Sequence, residues 1–274
     1  MGEKQIDLNA FITCSEPVLG SCEKAAIAFE DKFGRPRLYQ KDNGPKWVYD
    51  ENKLEHVCIF RVVRIISAFR ACFLLLDRGY LQEIAVLLRT IVAFQAEIVF
   101  LIEGYRTGNV SDNQKRFVTE CFKEHFQDPT DPSEGVQPRD IVPRKKMHAA
   151  FARSLSPVAN PTGVQKIINM EEDIFNGFVH GTAPCALEFY GFAGTTFPEF
   201  PMHGIANEKK TKTWLKQLLI YLHRFANKVS NLCENFGFPE IGHEISMARV
   251  NIERYANMEF SLSFDGPTPK ILRK

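Results

Sequence analysis

The sequence predicts an all-α protein, a helical bundle built round a long antiparallel helix pair at about 51–78 and 80–105, with further helices and an irregular insertion. Apolar residues recur at three- and four-residue spacing over long stretches, which is the helical pattern. No convincing alternating strand pattern appears beyond short pieces near 185–200. Because no repeat of roughly 20 to 50 residues and no heptad run is present, we expect a single helical domain over 1–274.

Glycine and proline interrupt the apolar stretches and set the expected helix boundaries. Gly79 closes the first member of the helix pair, and Gly104 is expected to end the second. In chain order, helices are expected at 5–33, 51–78, 80–105, 112–127, 144–155, 163–180, 206–236 and 240–260. The remaining segments are expected to be loop-like at 34–50, a Pro-rich loop at 128–143, irregular or short extended pieces at 183–205, and a loose C-terminal tail at 261–274.

The helix at 80–105 is expected to lie at the centre of the bundle because it is apolar on two sides. One of its stripes nevertheless carries Arg89 and Glu97, and charges in such a helix need partners or a purpose. They could belong to a structural ion-pair network, in which Glu97 pairs with Arg61, Arg64 or Arg70 of the preceding helix. Alternatively, Arg89 presents its planar guanidinium to a phosphate and is held by Glu97.

A histidine, His180, ends the predicted helix at 163–180, and Gly181 is expected to cap that helix. On a helical wheel, His180 projects near Asp173 and Asn176, away from the apolar face. The apolar face is expected to contain Ile167, Ile168, Ile174, Phe175, Phe178 and Val179. Two interpretations remain open: a capping or surface histidine, or a general acid or base that titrates near neutral pH.

The net charge of +1 gives no long-range attraction to nucleic acid or to anionic lipid. A nucleic-acid role would therefore depend on a local patch, and the best candidate is the run RDIVPRKK at 139–146, which contains Arg144, Lys145 and Lys146. The alternative for this run is a solvated linker.

The seven cysteines form no CxxC pair and are odd in number, which favours a reducing cytoplasm over a disulfide scaffold or a zinc site. The N-terminus has neither the basic start nor the apolar run of a signal peptide. The most apolar stretch, 57–102, is interrupted by several charges, so it is expected to be buried core and not a membrane span.

Several kinds of chemistry lack their sequence motifs. GxGxxG after a strand, GxxxxGK[ST], HExxH and GxSxG are all missing. No two of the seven histidines lie within one helical turn of each other, so neither a metal site nor a cofactor is expected.

The segment LDRGYLQEIAVLLRTIVAFQAEIVFL resembles a pattern found in bacterial helical domains of unassigned function related to the HEPN superfamily. In that pattern, a helix ends in glycine and the next helix carries a leucine pair, an arginine and a downstream glutamate. A later helix ends in histidine and a small residue, which FVHG at 178–181 resembles. The resemblance covers roughly 55–235, and the sequence departs from nuclease members in having no arginine shortly before His180. The run RKKMH at 144–148 comes close to their motif but has a different spacing.

The resemblance implies a metal-independent ribonuclease, or a relative of one, acting in a toxin or phage-defence system and commonly as a homodimer. It implies Arg89 and His180 as catalytic residues, with Glu97 in support. Asn176, Asp173, Arg144, Lys145 and Lys146 are the accompanying candidates for substrate binding. The alternative function is a non-catalytic helical module that binds a nucleotide or a partner protein.

Overall fold

The computed structural model describes residues 7–41, 44–123, 135, 138–154, 160–188, 190, 204, 208–260, 262–263 and 270–271. The all-α prediction is confirmed for this part of the chain. Its helices are α1 (Leu8–Phe33), α2 (Leu54–Asp77), α3 (Leu81–Thr107), α4 (Asp112–Phe122), α5 (Arg144–Ser154), α6 (Pro161–Val179), α7 (Ala183–Leu187), α8 (Glu208–Phe236) and α9 (Pro239–Phe260). Two short antiparallel pairs are also present, β1 (Arg37–Lys41) with β2 (Gly44–Val48), and β3 (Leu262–Ser263) with β4 (Lys270–Ile271).

Helix α3 lies at the centre of the bundle, as the two-sided apolar pattern predicts. It follows α2 directly because Gly79, at φ 72°, adopts the left-handed conformation that reverses the chain. Helices α2, α4, α5, α6 and α8 all pack against it. By length and composition α3 could cross a membrane, yet most of its apolar window is buried by these neighbours, which is the packing of a core helix.

Two segments differ from the sequence expectation because they contain short strands. The loop expected at 34–50 holds the hairpin of β1 and β2, in which Arg37 pairs with Val48 and Lys41 with Gly44. Its apolar side chains, Leu38 and Trp47, are largely exposed, so the sequence shows no apolar face turned to a core that would indicate these strands. The tail expected to be loose contains the pairing of Leu262 with Ile271. Most of the predicted Pro-rich loop at 128–143 lies outside the described residues, as does most of 183–205, apart from α7.

Helix α3 does not end at Gly104 but continues to Thr107, and Gly108 adopts the left-handed cap at φ 64°. Gly104 lies inside the helix, and the Gln114 side chain fills the space beside it. The Gln114 Oε1 atom lies 2.5 Å from the position that a Cβ on Gly104 would take. The buried Gln114 amide accepts a hydrogen bond from the Ser111 backbone N–H and donates one to the Phe100 carbonyl. The glycine therefore allows α4 to begin against the end of α3.

Replacing Gly104 by alanine is expected to lower the free energy of unfolding by about 2 kcal/mol, because the new methyl group displaces the Gln114 amide and its buried hydrogen bonds. Gly20→Ala is the matched control. Gly20 also lies inside a helix but has nothing within 4 Å of the Cβ position, so alanine there should stabilise the protein by about 0.5–1 kcal/mol. Urea denaturation of both variants tests this, and equal effects would contradict the packing argument.

Candidate functional site

Glu172 of α6 lies at the centre of a polar cluster between α3, α5 and α6. Its Oε1 atom accepts a hydrogen bond from Arg144 Nη1 at 2.6 Å and lies 3.2 Å from Arg89 Nη1. His148 Nε2 lies 3.4 Å from the same oxygen. One carboxylate oxygen thus gathers an arginine from α3 and an arginine and a histidine from α5.

Helical spacing explains how the cluster is assembled. Asn169 and Asn176 flank Glu172 at three and four residues, so all three share one face of α6. The Asn169 Oδ1 atom lies 2.7 Å from His148 Nδ1, and the Asn176 Oδ1 atom accepts a hydrogen bond from Arg89 Nε at 2.6 Å. These two amides fix the histidine ring and the arginine guanidinium on either side of the carboxylate.

The cluster carries more positive than negative charge. The Arg89, Glu172 and His148 side chains are 11%, 10% and 4% exposed, whereas the Arg144 side chain is half exposed. Burial lowers the pKa of His148, but the hydrogen bonds to Glu172 and Asn169 outweigh burial and raise it above its usual 6.5. Burial acts to raise the pKa of Glu172, and His148 and Arg144 outweigh it, so the carboxyl pKa is lowered. Two arginines and a readily protonated histidine therefore face one ionised carboxylate.

Glu97 belongs to a different cluster, which corrects the idea that it holds Arg89. Its Oε2 atom accepts a hydrogen bond from Arg61 Nε of α2 at 2.5 Å. The Arg61 guanidinium also contacts Cys121 Sγ at 3.4 Å and lies over the Phe94 ring. Arg89 and Glu97 are separated by eight residues, about 12 Å of helix rise, so one helix cannot bring their side chains together. Glu97 pairs with the preceding helix, and Glu172 takes the place beside Arg89.

His180 lies at the C-terminal cap of α6 and is exposed. Its backbone N–H donates to the Asn176 carbonyl, and Gly181 follows in the left-handed conformation at φ 58°, as predicted. Among the described residues, no hydrogen bond or ion pair joins the His180 ring to another side chain. It lies four residues beyond Asn176, about 6 Å of helix rise from the amide that holds Arg89.

The other substrate-binding candidates do not form one surface. Asp173 is exposed and lines a shallow groove along α6 together with Lys166 and Met170. Within the basic run, the Arg139 guanidinium binds the Lys123 carbonyl at the end of α4, and Lys146 Nζ donates to Asn113 Oδ1. Lys145 is exposed, so Arg144 is the one member of this run that reaches the cluster.

Glu172, His148 and Asn169 are site residues that were not predicted from the sequence. One signal was available: Arg144 and His148 are four residues apart, which places both on one face of a helix. A second signal was the acidic run Glu171–Glu172–Asp173 in the middle of this amphipathic helix. Glu171 turns the other way and binds Arg224 of α8.

Within the described ranges, no group of three or more histidine, cysteine, aspartate or glutamate side chains could hold a metal ion. Comparison of the chain with protein-family models, with curated proteins and with solved structures gave no match.

Proposed function

We propose that this protein cleaves RNA without a metal ion, with Arg89 contacting the phosphate and His180 transferring the proton. The observation that carries the proposal is the hydrogen bond from Arg89 to Asn176, one helical turn before His180. The arginine that nuclease members carry on the histidine's own helix is here supplied by α3. An exposed imidazole and a fixed guanidinium then lie at the same end of α6.

The surroundings of His180 support an anionic substrate. The Phe178 ring packs edge-on against Trp214 at 5.5 Å, which brings the end of α6 against the first turns of α8. These turns carry Lys209, Lys210, Lys212 and Lys216. Lysines on this part of α8 would attract the RNA backbone, and the positive excess round Glu172 adds to that attraction.

In the proposed reaction, a ribose 2′-oxygen attacks the adjacent phosphorus as the bond from phosphorus to the 5′-oxygen breaks, which leaves a 2′,3′-cyclic phosphate and a 5′-hydroxyl. His180 takes the proton from the 2′-hydroxyl or gives one to the leaving 5′-oxygen, and water supplies the other proton transfer. Arg89 stabilises the charge that develops on the phosphate, and Asn176 and Glu172 keep its guanidinium in place. Asn176 is thus a positioning residue for Arg89. The proposal includes the role of a toxin or phage-defence effector in a bacterial cytoplasm and assembly as a homodimer.

A second candidate, binding of RNA or a nucleotide without cleavage, is favoured by the enclosure of Arg89. Its guanidinium is already bound by both Glu172 and Asn176, and its side chain is 11% exposed. A guanidinium held in this way can contact a phosphate at its edge while the network round Glu172 stays intact. Such a protein would use the lysines of α8 for affinity and leave the RNA uncut.

Incubating the purified protein with end-labelled single-stranded RNA in excess EDTA tests both candidates. The wild type is expected to cut the RNA and leave a 2′,3′-cyclic phosphate, and His180→Ala is expected to reduce the rate about a hundredfold or more. His243→Ala, which removes another exposed histidine on α9, is the control and should cut like the wild type. RNA left intact at high protein excess, or equal cutting by His180→Ala, would sink the nuclease proposal. A gel shift without cutting would then support the binding module.

A further inference from the structure

A cavity of about 450 Å³, separate from the Glu172 cluster, lies between the end of α3, the start of α4 and α5. Lys146 and Arg153 of α5 line it, together with Asn113 of α4 and Glu103 and Thr107 of α3. Its volume falls in the range of sites for small organic ligands. The small side chains of Ala149 and Ala150 also line it.

The cavity lies on the side of α5 that faces away from the Glu172 cluster. Arg144 and His148 are four residues apart and face α6, whereas Lys146 and Arg153 are seven residues apart and share another face. Because each residue advances about 100° round a helix, the two faces lie on roughly opposite sides. A ligand in this cavity therefore has no part in the reaction proposed at Arg89 and His180.

We infer that this cavity binds a small phosphate monoester, such as a nucleoside monophosphate, with Lys146 and Arg153 as the phosphate ligands. Lys146 Nζ is already oriented by Asn113 Oδ1 at 3.3 Å. In the described part of the chain, Arg153 has no ion-pair partner, so its exposed guanidinium is available for a bidentate contact with phosphate. Two cations converge here against one carboxylate, Glu103.

The remaining polar groups favour an organic phosphate over the inorganic ion. The Glu103 carboxylate repels the phosphate group in either case, but it can accept hydrogen bonds from the sugar hydroxyl groups that only an organic phosphate carries. Asn109 and Thr107 add further hydrogen-bonding groups, and Phe100 contributes apolar lining. The backbone N–H groups at the N-terminus of α4 are not needed as phosphate ligands, because Ser111 and Gln114 already form a capping box there.

Isothermal titration calorimetry of the full chain with AMP, and separately with inorganic phosphate, tests the inference. AMP is expected to bind more tightly than phosphate, and Arg153→Gln and Lys146→Gln should each weaken AMP binding about tenfold. The matched control is Arg106→Gln, which removes an exposed arginine near the end of α3 that does not line the cavity, and it should bind like the wild type.

His180→Ala separates this site from the proposed nuclease site, since AMP binding should survive that substitution. Absence of AMP binding, or equal binding by Arg153→Gln and Arg106→Gln, overturns the inference. The inference is also overturned if His180→Ala abolishes AMP binding while Arg153→Gln leaves it unchanged. AMP would then occupy the proposed nuclease site. Because Lys146 and Arg153 are both exposed, thermal unfolding should show both variants folded.

Discussion

Replacing Glu172 by glutamine is expected to lower the free energy of unfolding at neutral pH by about 3 kcal/mol. The substitution keeps the shape of the side chain but leaves Arg89, Arg144 and His148 facing one another without a carboxylate. Two of these groups are almost completely buried, so water cannot take over the role of the lost charge. Chemical denaturation followed by circular dichroism measures the loss.

The neighbouring substitution Asp173→Asn is the matched control. It removes one negative charge from the same helix, but Asp173 is exposed and lies outside the cluster, so the change should stay within about 0.5 kcal/mol. A similar loss in both variants would mean that the stabilisation comes from the overall charge of α6 and not from the contacts of Glu172.

The same substitution is expected to reverse the pH dependence that His148 contributes. In the wild type, Glu172 and Asn169 raise the pKa of His148. The stabilisation that His148 contributes is therefore complete below pH 6.5 and is lost as pH rises through the raised pKa. Without the carboxylate, the Asn169 hydrogen bond alone opposes burial, which is already the largest single influence, so the pKa of this histidine should fall below its usual value. Stability of the variant should then rise as pH approaches 6.5 from below and stay level above 6.5, where the wild type loses stability. Unfolding curves between about pH 5.5 and pH 8 distinguish the two signs.

The helices could be predicted because glycine, proline and apolar spacing act over short distances. Gly79 marks the turn between α2 and α3, and two apolar stripes on α3 indicate its central place. The orientation of α6 could not be predicted in the same way. Ile168 and Phe175 are buried as expected, but Ile167 and Ile174 are 40% and 51% exposed. Glu172 is buried in addition. Glu172 faces inward because Arg89 of α3 and Arg144 of α5 bind it. A helical wheel of α6 alone contains no information about these partners.

Only part of the candidate site could be predicted from the sequence, because its residues come from separate helices. Arg89 is conspicuous because it interrupts an apolar helix, but its partners Glu172 and Asn176 lie on another helix. The meeting of Arg89 with His148 and Glu172 depends on three helices that are far apart in the chain. Glu97 is equally conspicuous, yet its partner Arg61 was one of several arginines that the spacing allowed.

Removing the positive charge of Arg61 is expected to destabilise the protein about as strongly as removing Glu172. Arg61→Met keeps the length and apolar volume of the side chain but leaves the Glu97 carboxylate, which is 14% exposed, without its cation. The expected loss at neutral pH is about 3 kcal/mol, the typical effect of removing one partner from a buried pair. Arg64→Met, at an exposed position on the same helix, is the control and should have little effect.

The pH dependence of the Arg61→Met loss identifies its cause. Burial already holds the pKa of Glu97 above its usual 4.5, although Arg61 acts to lower it, and loss of Arg61 should raise it further. An acid whose pKa is raised by folding favours the folded state below its unfolded pKa, and that contribution disappears as pH rises through the folded pKa. The destabilisation by Arg61→Met should therefore shrink as pH falls toward about 4.5, because Glu97 becomes neutral.

The double variant Arg61→Met/Glu97→Gln completes the argument. If the single variant is unstable because a charge is left buried, neutralising Glu97 as well should recover most of the lost stability at neutral pH. If the instability comes instead from the lost contact of Arg61 with the Phe94 ring, the second substitution recovers nothing. Recovery would mean that the Arg61–Glu97 pair has a structural role in the packing of α2 on α3. Of the two charged residues of α3, Glu97 would then be structural, and Arg89 would belong to the candidate site.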